Sequence, residues 1–354
     1  MTVSPEHLPW PERILMTADT SDGVWTYALE LSRALVSFGI DVTLATMGAP
    51  RTRLRRRESE SVYGLSVREH EVAPEWMPDS RAEMSAAARW LRALEEEIEP
   101  SLIHVNHLCH AGIGWSAPTL VVSHACVLAW WDAVKGRRAP ADWERYRLEA
   151  QVGLRSAGLI VTSTNAARHA LEQYYGPARN VRVIPHGRDG RWFVPAAKQS
   201  IIASIGQLRD ESKNLRTLDD VKGRLPWSVQ IIDQLDLDGL RDWLSRASIF
   251  ALPAKYEPFG QSVIDAALSG CALVLGDIPS LRESWDDAAI FVPPDDRAAL
   301  ADALADLIAS PAKIQSLTHA ARDRALEYSA SRMASGYLSA YSMLMAARHS
   351  AAAF

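Results

Sequence analysis

Cysteine is scarce: the 354 residues contain three, Cys109, Cys126 and Cys271. An odd, widely spaced set gives neither a disulfide framework nor zinc-site spacing, and the thiols are expected as small buried residues in a reducing compartment. No apolar run reaches the roughly 20 residues that cross a bilayer. The opening stretch, Met1 to Pro11, is too polar for a secretory signal, so the cytoplasm is the expected location. An excess of one charge is missing too. The 38 Lys and Arg against 43 Asp and Glu leave a net charge of -5, which gives no overall case for a nucleic-acid or membrane-surface partner. Glycines are few where a dinucleotide site needs them: the turn after the first apolar run carries only Gly23 of a G-x-G-x-x-G pattern. No internal repeat stands out.

The length suits two α/β domains, and an apolar fraction of 48% with 23% charged residues is ordinary for a globular chain. Apolar runs alternate with amphipathic stretches. Strands are expected at Arg13 to Ala18, Asp41 to Met47, Leu65 to Val72, Leu102 to His107, Thr119 to Ser123, Leu159 to Ser163 and Val181 to Pro185. Helices are expected at Trp25 to Gly39, Ser80 to Ile98, Asp142 to Ala157 and Ala166 to Tyr175. After a linker, Gly190 to Gln199, the pattern restarts with Ile201 to Ile205 and runs through Ala289 to Val292, followed by helical stretches to Arg348. Two doubly wound domains facing across a cleft follow from this alternation. The expected divisions are 1–188, 189–330 and a final helix, 331–354, returning to the first domain.

One stretch carries most of the chemistry: Tyr256-Glu257-Pro258-Phe259-Gly260-Gln261-Ser262-Val263-Ile264-Asp265. It follows an apolar strand, and Val263, Ile264, Ala267 and Leu268 then share a helical face. Gly260 to Ser262 therefore open a helix whose first N–H groups lack internal partners, an arrangement that binds anions. The carboxylates of Glu257 and Asp265 accept hydrogen bonds only, which suits sugar and ribose hydroxyls. On spacing alone, a solvated loop acid and a helix-surface acid read the same way. Gly206-Gln207-Leu208-Arg209, followed by Lys213-Asn214 and a helix, repeats the design of strand, glycine turn, cation and helix, with Lys213 as a point charge for phosphate. His124 falls just after a strand, at the carboxyl edge where α/β sheets place ligands; a satisfied buried histidine fits that position as well. His104, His107 and His110 are too badly oriented along an extended segment for a metal site. The arginine-rich stretch from Arg51 to Glu60 reads as a solvated charged loop, with an anionic-acceptor patch as the alternative.

Glu257-Pro258-Phe259-Gly260 with Asp265 resembles the E-x7-E motif of the retaining glycosyltransferases of family GT4, which have the GT-B fold. The Lys213-Asn214 segment, the turn Pro185-His186-Gly187-Arg188-Asp189 and the surroundings of His124 resemble the same family. The resemblance implies a retaining transfer of a sugar from a nucleotide-diphosphate sugar, UDP- or GDP-linked, without a metal or other cofactor. The acceptor would be a small molecule, a glycan or a lipid-linked group. Glu257 would orient the donor sugar and Asp265 the ribose. Lys213, with Arg209, would stabilise the departing diphosphate together with Gln207 and the turn at Phe259, Gly260, Gln261 and Ser262. His124 and the turn at Gly23 would close the site from the first domain. The chain departs from the family at Asp22, where glycine is usual, at Gln207, where arginine is usual, and at His186, where asparagine is usual. It also has a short connection from Asp233 to Gly239. A catalytically silent GT-B protein that binds a nucleotide or a protein partner is the second reading.

Overall fold

The computed structural model describes residues 10–20, 22–72, 81–233 and 235–352. In the first half the elements run β1 Arg13–Asp19, α1 Asp22–Ser37, β2 Asp41–Met47, α2 Arg53–Glu60, β3 Ser66–His70, α3 Arg81–Ile98, β4 Leu102–Val105, β5 Thr119–Ser123, α4 Val127–Lys135, α5 Glu144–Ser156, β6 Leu159–Thr162, α6 Asn165–Tyr175 and β7 Val181–Val183. The second half has β8 Gln199–Ile205, α7 Leu215–Val221, β9 Ser228–Ile232, α8 Leu237–Arg246, β10 Ala247–Leu252, α9 Gln261–Leu268, β11 Ala272–Gly276, α10 Pro279–Trp285, β12 Ala289–Val292, α11 Arg297–Ile308 and α12 Pro311–Glu327. The last helix is α13, Ala330–Ala352.

All strand pairings are parallel, in the orders β3-β2-β1-β4-β5-β6-β7 and β12-β11-β10-β8-β9. Strands covered by helices on both faces need apolar side chains on both, and β10 and β11 are buried at every position. The strand order reverses between β1 and β4 in the first sheet and between β8 and β10 in the second. Such switch points leave a crevice beyond the carboxyl ends of the strands. Asp19, Asn106 and Gly23 border the first crevice; Gly206 and Glu257 border the second.

One local expectation is corrected. The arginine-rich stretch forms a helix, α2, because Thr52 caps its start by accepting from the Arg55 amide. Several of its charges are matched: Arg55 pairs with Glu58, which also accepts from the Trp25 indole, and Arg51 and Arg56 pair with Glu69 of β3. Helix α4 gives no polar periodicity to read, and its cap is the Cys126 sulfur, which accepts from the Ala129 amide. The expected start of α3 at Ser80 lies outside the described residues.

The chain crosses between the halves at Arg188 and again at Ser329, and the two segments form a parallel bridge. The Arg188 amide donates to the Tyr328 carbonyl at 2.9 Å, and the Ala330 amide donates to the Arg188 carbonyl at 3.0 Å. Gly187 is required for this approach, since a Cβ there would lie 2.3 Å from the Ser329 carbonyl oxygen. Beyond the crossing, α13 places Met333, Tyr337 and Tyr341 in the first-half core with Ile14, Met16, Trp25 and Tyr27. Each buried aromatic is a gross gain on the order of 4–6 kcal/mol, so the returning helix is tightly held.

Candidate active site

At the second switch point, Lys213 folds back over the end of β8. Gly206 has φ +140°, and a Cβ there would lie 2.6 Å from Lys213 Cδ, so the glycine lets the lysine stem cross the turn. The ammonium donates to the Ile205 carbonyl at 3.3 Å. Asn214 sits in the left-handed region, and its amide donates to the Pro253 and Pro294 carbonyls, tying this loop to the ends of β10 and β12. Gln207 and Arg209 face one another, with Arg209 Nε donating to Gln207 Oε1 at 2.6 Å. The guanidinium thus shares the turn with the residue at the family's arginine position.

Glu257 lies between β10 and α9. Its Oε1 accepts from the Gly260 amide at 3.0 Å, closing the turn, and its carbonyl accepts from Ser280. Gly260 has φ +89°, a conformation a side chain would strain. The first-turn amides of Gln261 and Ser262 have no acceptor within the helix, and Gln261 Nε2 is buried without a partner among the described residues. Phe259 is the exception among the expected donor-binding residues. Its ring is 3% exposed and packs against His186 and Tyr328, so only its backbone faces a ligand.

The opposing wall comes from the first half. His124 Nε2 meets Asn106 Oδ1 at 2.8 Å, and the ring rests edge-on against Tyr27, 4.6 Å between centroids. His186 lies 5.3 Å from His124 and is buried with neither nitrogen partnered among the described residues. Burial holds His124 well below the ordinary imidazole value, with His186, His104 and His107 adding to the effect. Burial alone brings His186 down to about 4. Both rings are therefore neutral at pH 7, each offering one donor and one acceptor. His104 is spoken for, between Tyr27 and Tyr341, and His107 lies near Asp19 and Thr17. Gly23 falls inside the first turn of α1 rather than in a loop, and a Cβ there would touch nothing within 4 Å. The Asp22 side chain lies outside the described residues.

Asp265 is placed differently from the expectation. It is 4% exposed, and both its oxygens are held by Arg188, at 2.6 and 3.0 Å. The same guanidinium donates to Glu30 Oε1 at 3.1 Å. Burial raises the Glu30 carboxyl above the usual range, against the pull of Arg188. In this arrangement both oxygens of the motif's second acid are held by the arginine of the crossing segment. Nothing in the motif marked Arg188; its only signal is a cation in the hinge turn of a chain whose second motif acid is shortened.

The halves touch across the cleft. Tyr256 receives a hydrogen bond from the Cys126 amide at 2.7 Å. The Glu283 carboxylate accepts from the Asn165 and Ala166 amides at 2.7 and 2.8 Å, capping α6 from the other half. Lys135 pairs with Glu211 at 2.7 Å. Between these contacts lies a cavity of about 430 Å³, bordered by Cys126, Tyr174 and Glu257.

Two doubly wound parallel-sheet halves facing one another across a cleft define a GT-B type architecture, and known structures share it. Sucrose-phosphate synthase from Thermosynechococcus elongatus superposes with a TM-score of 0.80 at 18% identity, over 95% of this chain and 100% of that one. Anabaena Alr3699/HepE, solved with UDP and glucose, gives 0.75 at 14% identity, over 94% and 100%. In sequence, the D-inositol 3-phosphate glycosyltransferase of Kribbella flavida is 24% identical over 90% of each chain. Glycogen synthase of Mycobacterium tuberculosis is 34% identical over 29% of this chain and 25% of its own length. Residues 21–190 match Glycosyltransferase Family 4, and residues 195–310 match Glycosyl transferases group 1. The chain belongs to glycosyltransferase family 4 and is a glycosyltransferase.

Proposed function

We propose that the enzyme transfers a sugar, with retention at the anomeric carbon, from a nucleotide-diphosphate sugar to an acceptor hydroxyl. The observation that carries this reading is the convergence of the Lys213 ammonium and the α9 N-terminus on the second switch point. A diphosphate there meets one fixed cation and helix amides, and these donors stabilise the negative charge that grows as it leaves. Arg209 adds a second cation when released from Gln207. Glu257 orients the sugar, and His124 and the N-terminus of α1 close the site from the first half. UDP is the first base to test, because HepE binds UDP and UDP-glucose. The unit 189–330 serves the donor and 1–188 the acceptor, with closure about the hinge during turnover. With Lys213 and the amides meeting the diphosphate, the reaction proceeds without a metal, so EDTA should leave the rate unchanged.

The test is calorimetric titration of UDP, GDP and ADP into the wild-type protein and Lys213→Ala. One nucleotide should bind, and the substitution should weaken it by about tenfold or more, the scale of a lost charge-assisted contact. Equal affinity for both proteins, or no binding by a folded chain, would remove the donor assignment.

A further inference from the structure

The cavity between the halves borders Glu257, yet the phosphate-binding groups lie elsewhere; Gln207, Arg209 and Lys213 are absent from its lining. On the first-half side its wall is built from α4 and α6, which turn alanines toward it: Ala129 and Ala133 from one, Ala167 and Ala170 from the other. Ile278, Pro279 and Pro294 face them from the second half. Small side chains on both helices leave the space, and its walls are mostly apolar, with Ser123 and Gln173 among the few neutral polar side chains.

The charged groups at the rim sharpen the choice. Asp132, Glu257 and Asp295 contribute carboxylates. Among the described residues no arginine lines the cavity, and the one lysine, Lys255, is paired with Asp295 at 2.5 Å. Asp132 accepts from the Tyr174 hydroxyl at 2.9 Å. His169, exposed on α6, is the other basic group. A phosphorylated or carboxylated ligand would find carboxylates and a lysine already neutralised. Glu257 spends one oxygen on the Gly260 amide, and a carboxylate has further acceptor capacity for a hydroxyl.

We propose that this cavity is the acceptor subsite and that it takes an uncharged alcohol with an apolar body, such as an aryl or short alkyl alcohol, its hydroxyl directed to Glu257. The assignment rests on the sugar-transfer reading above. In the transfer the acceptor oxygen bonds to the anomeric carbon as the bond from that carbon to the diphosphate breaks. The hydroxyl proton passes by way of the Glu257 carboxylate to the departing diphosphate.

Saturation-transfer NMR on the full chain, without donor, tests the pocket directly, with benzyl alcohol and glucose 6-phosphate as probes. Wild-type protein should bind benzyl alcohol and not glucose 6-phosphate. Ala170→Trp, which fills the space, should weaken benzyl alcohol by about tenfold or more; Ala170→Lys should admit glucose 6-phosphate. Thermal melting checks that each variant is folded, and Ala133→Trp, at an exposed position of α4 on the cavity wall, fills it should Ala170→Trp fail to fold. Benzyl alcohol binding that survives in a folded filled variant overturns the proposal, as does a wild-type chain that binds no benzyl alcohol or prefers glucose 6-phosphate. UDP-glucose titration is run alongside. Its failure would count against the donor reading alone, because alcohol binding is read without donor.

Discussion

On the second-half side of the cleft, a ligand meets fixed charge: Lys213 across the Gly206 turn and the open amides of α9. On the first-half side it meets His124 and His186, both held neutral by burial, and the alanine faces of α4 and α6. Under the proposed transfer, the contrast follows from what each wall must do. A leaving diphosphate needs donors that are aimed and charged before reaction. A hydroxyl acceptor needs shape and one acceptor group, and stray cations there would attract the wrong ligand. Between the walls runs a hinge in which one arginine is shared by two buried acids, one from each half.

The largest effect should come from that hinge. Arg188→Met leaves Glu30 and Asp265 buried without their cation, and breaking a buried pair costs about 3–5 kcal/mol. The urea midpoint should fall steeply. Replacing all three, as Glu30→Gln, Arg188→Met and Asp265→Asn, should recover much of the loss, since the remaining groups are uncharged. If Arg188→Met unfolds at the wild-type midpoint, the hinge is not held by this network, and the two walls are related by packing alone.

Next comes the charged wall. Lys213→Ala should lower kcat by about 10²–10³-fold, the cost of removing one donor from a developing anion. It should do so with UDP-sugar as donor whatever the acceptor, because the contact is to the leaving group. A drop seen with one acceptor only would place Lys213 on the wrong side of the comparison.

The two walls were not equally legible in the sequence. The second-half motifs read well because a phosphate-type turn needs a glycine, a cation and a helix start at fixed spacing, and Gly206, Lys213, Gly260 and Gln261 keep that order. The strand pattern was legible too, since β1, β5, β10 and β11 are buried almost throughout and must be apolar. The first-half wall was legible only at His124. Its small residues carry no motif, and alanine at 129, 133, 167 and 170 has meaning only once α4 and α6 lie side by side. Asp265 misled because spacing fixes a helix face but not the partner: Arg188, distant in sequence, is brought to it by the crossing at Ser329.

A smaller effect is expected where the walls touch. Glu283→Ala removes a carboxylate that caps α6 from the other half. Both partners are exposed, so the loss should be about 1 kcal/mol, within the range for a helix cap. Because the contact bridges the cleft, small-angle scattering should also show a larger radius of gyration than for wild type. An unchanged radius would mean that Tyr256 and the hinge suffice to hold the halves together.

The smallest effect probes why the first-half wall is neutral. His186 is brought down to about 4 by burial, against an ordinary value of 6.5. Its folded-state pKa is thus depressed, so at intermediate pH the unfolded chain binds more protons than the folded one. Stability from this group is complete above pH 6.5 and is lost as pH falls from there toward 4. Between pH 7 and 6 the linkage for one such histidine is about 0.7 kcal/mol. His186→Asn removes the titration and puts in the family's usual residue. The urea midpoint of this variant should therefore fall less than that of wild type over the same interval. His104 and His110, each brought to about 3 by burial, remain in both proteins and supply the common slope. A variant whose midpoint falls as steeply as wild type would mean that His186 is solvated or already paired in solution. The first-half wall could then become cationic on mild acidification, and the division of charge across the cleft would hold only at higher pH.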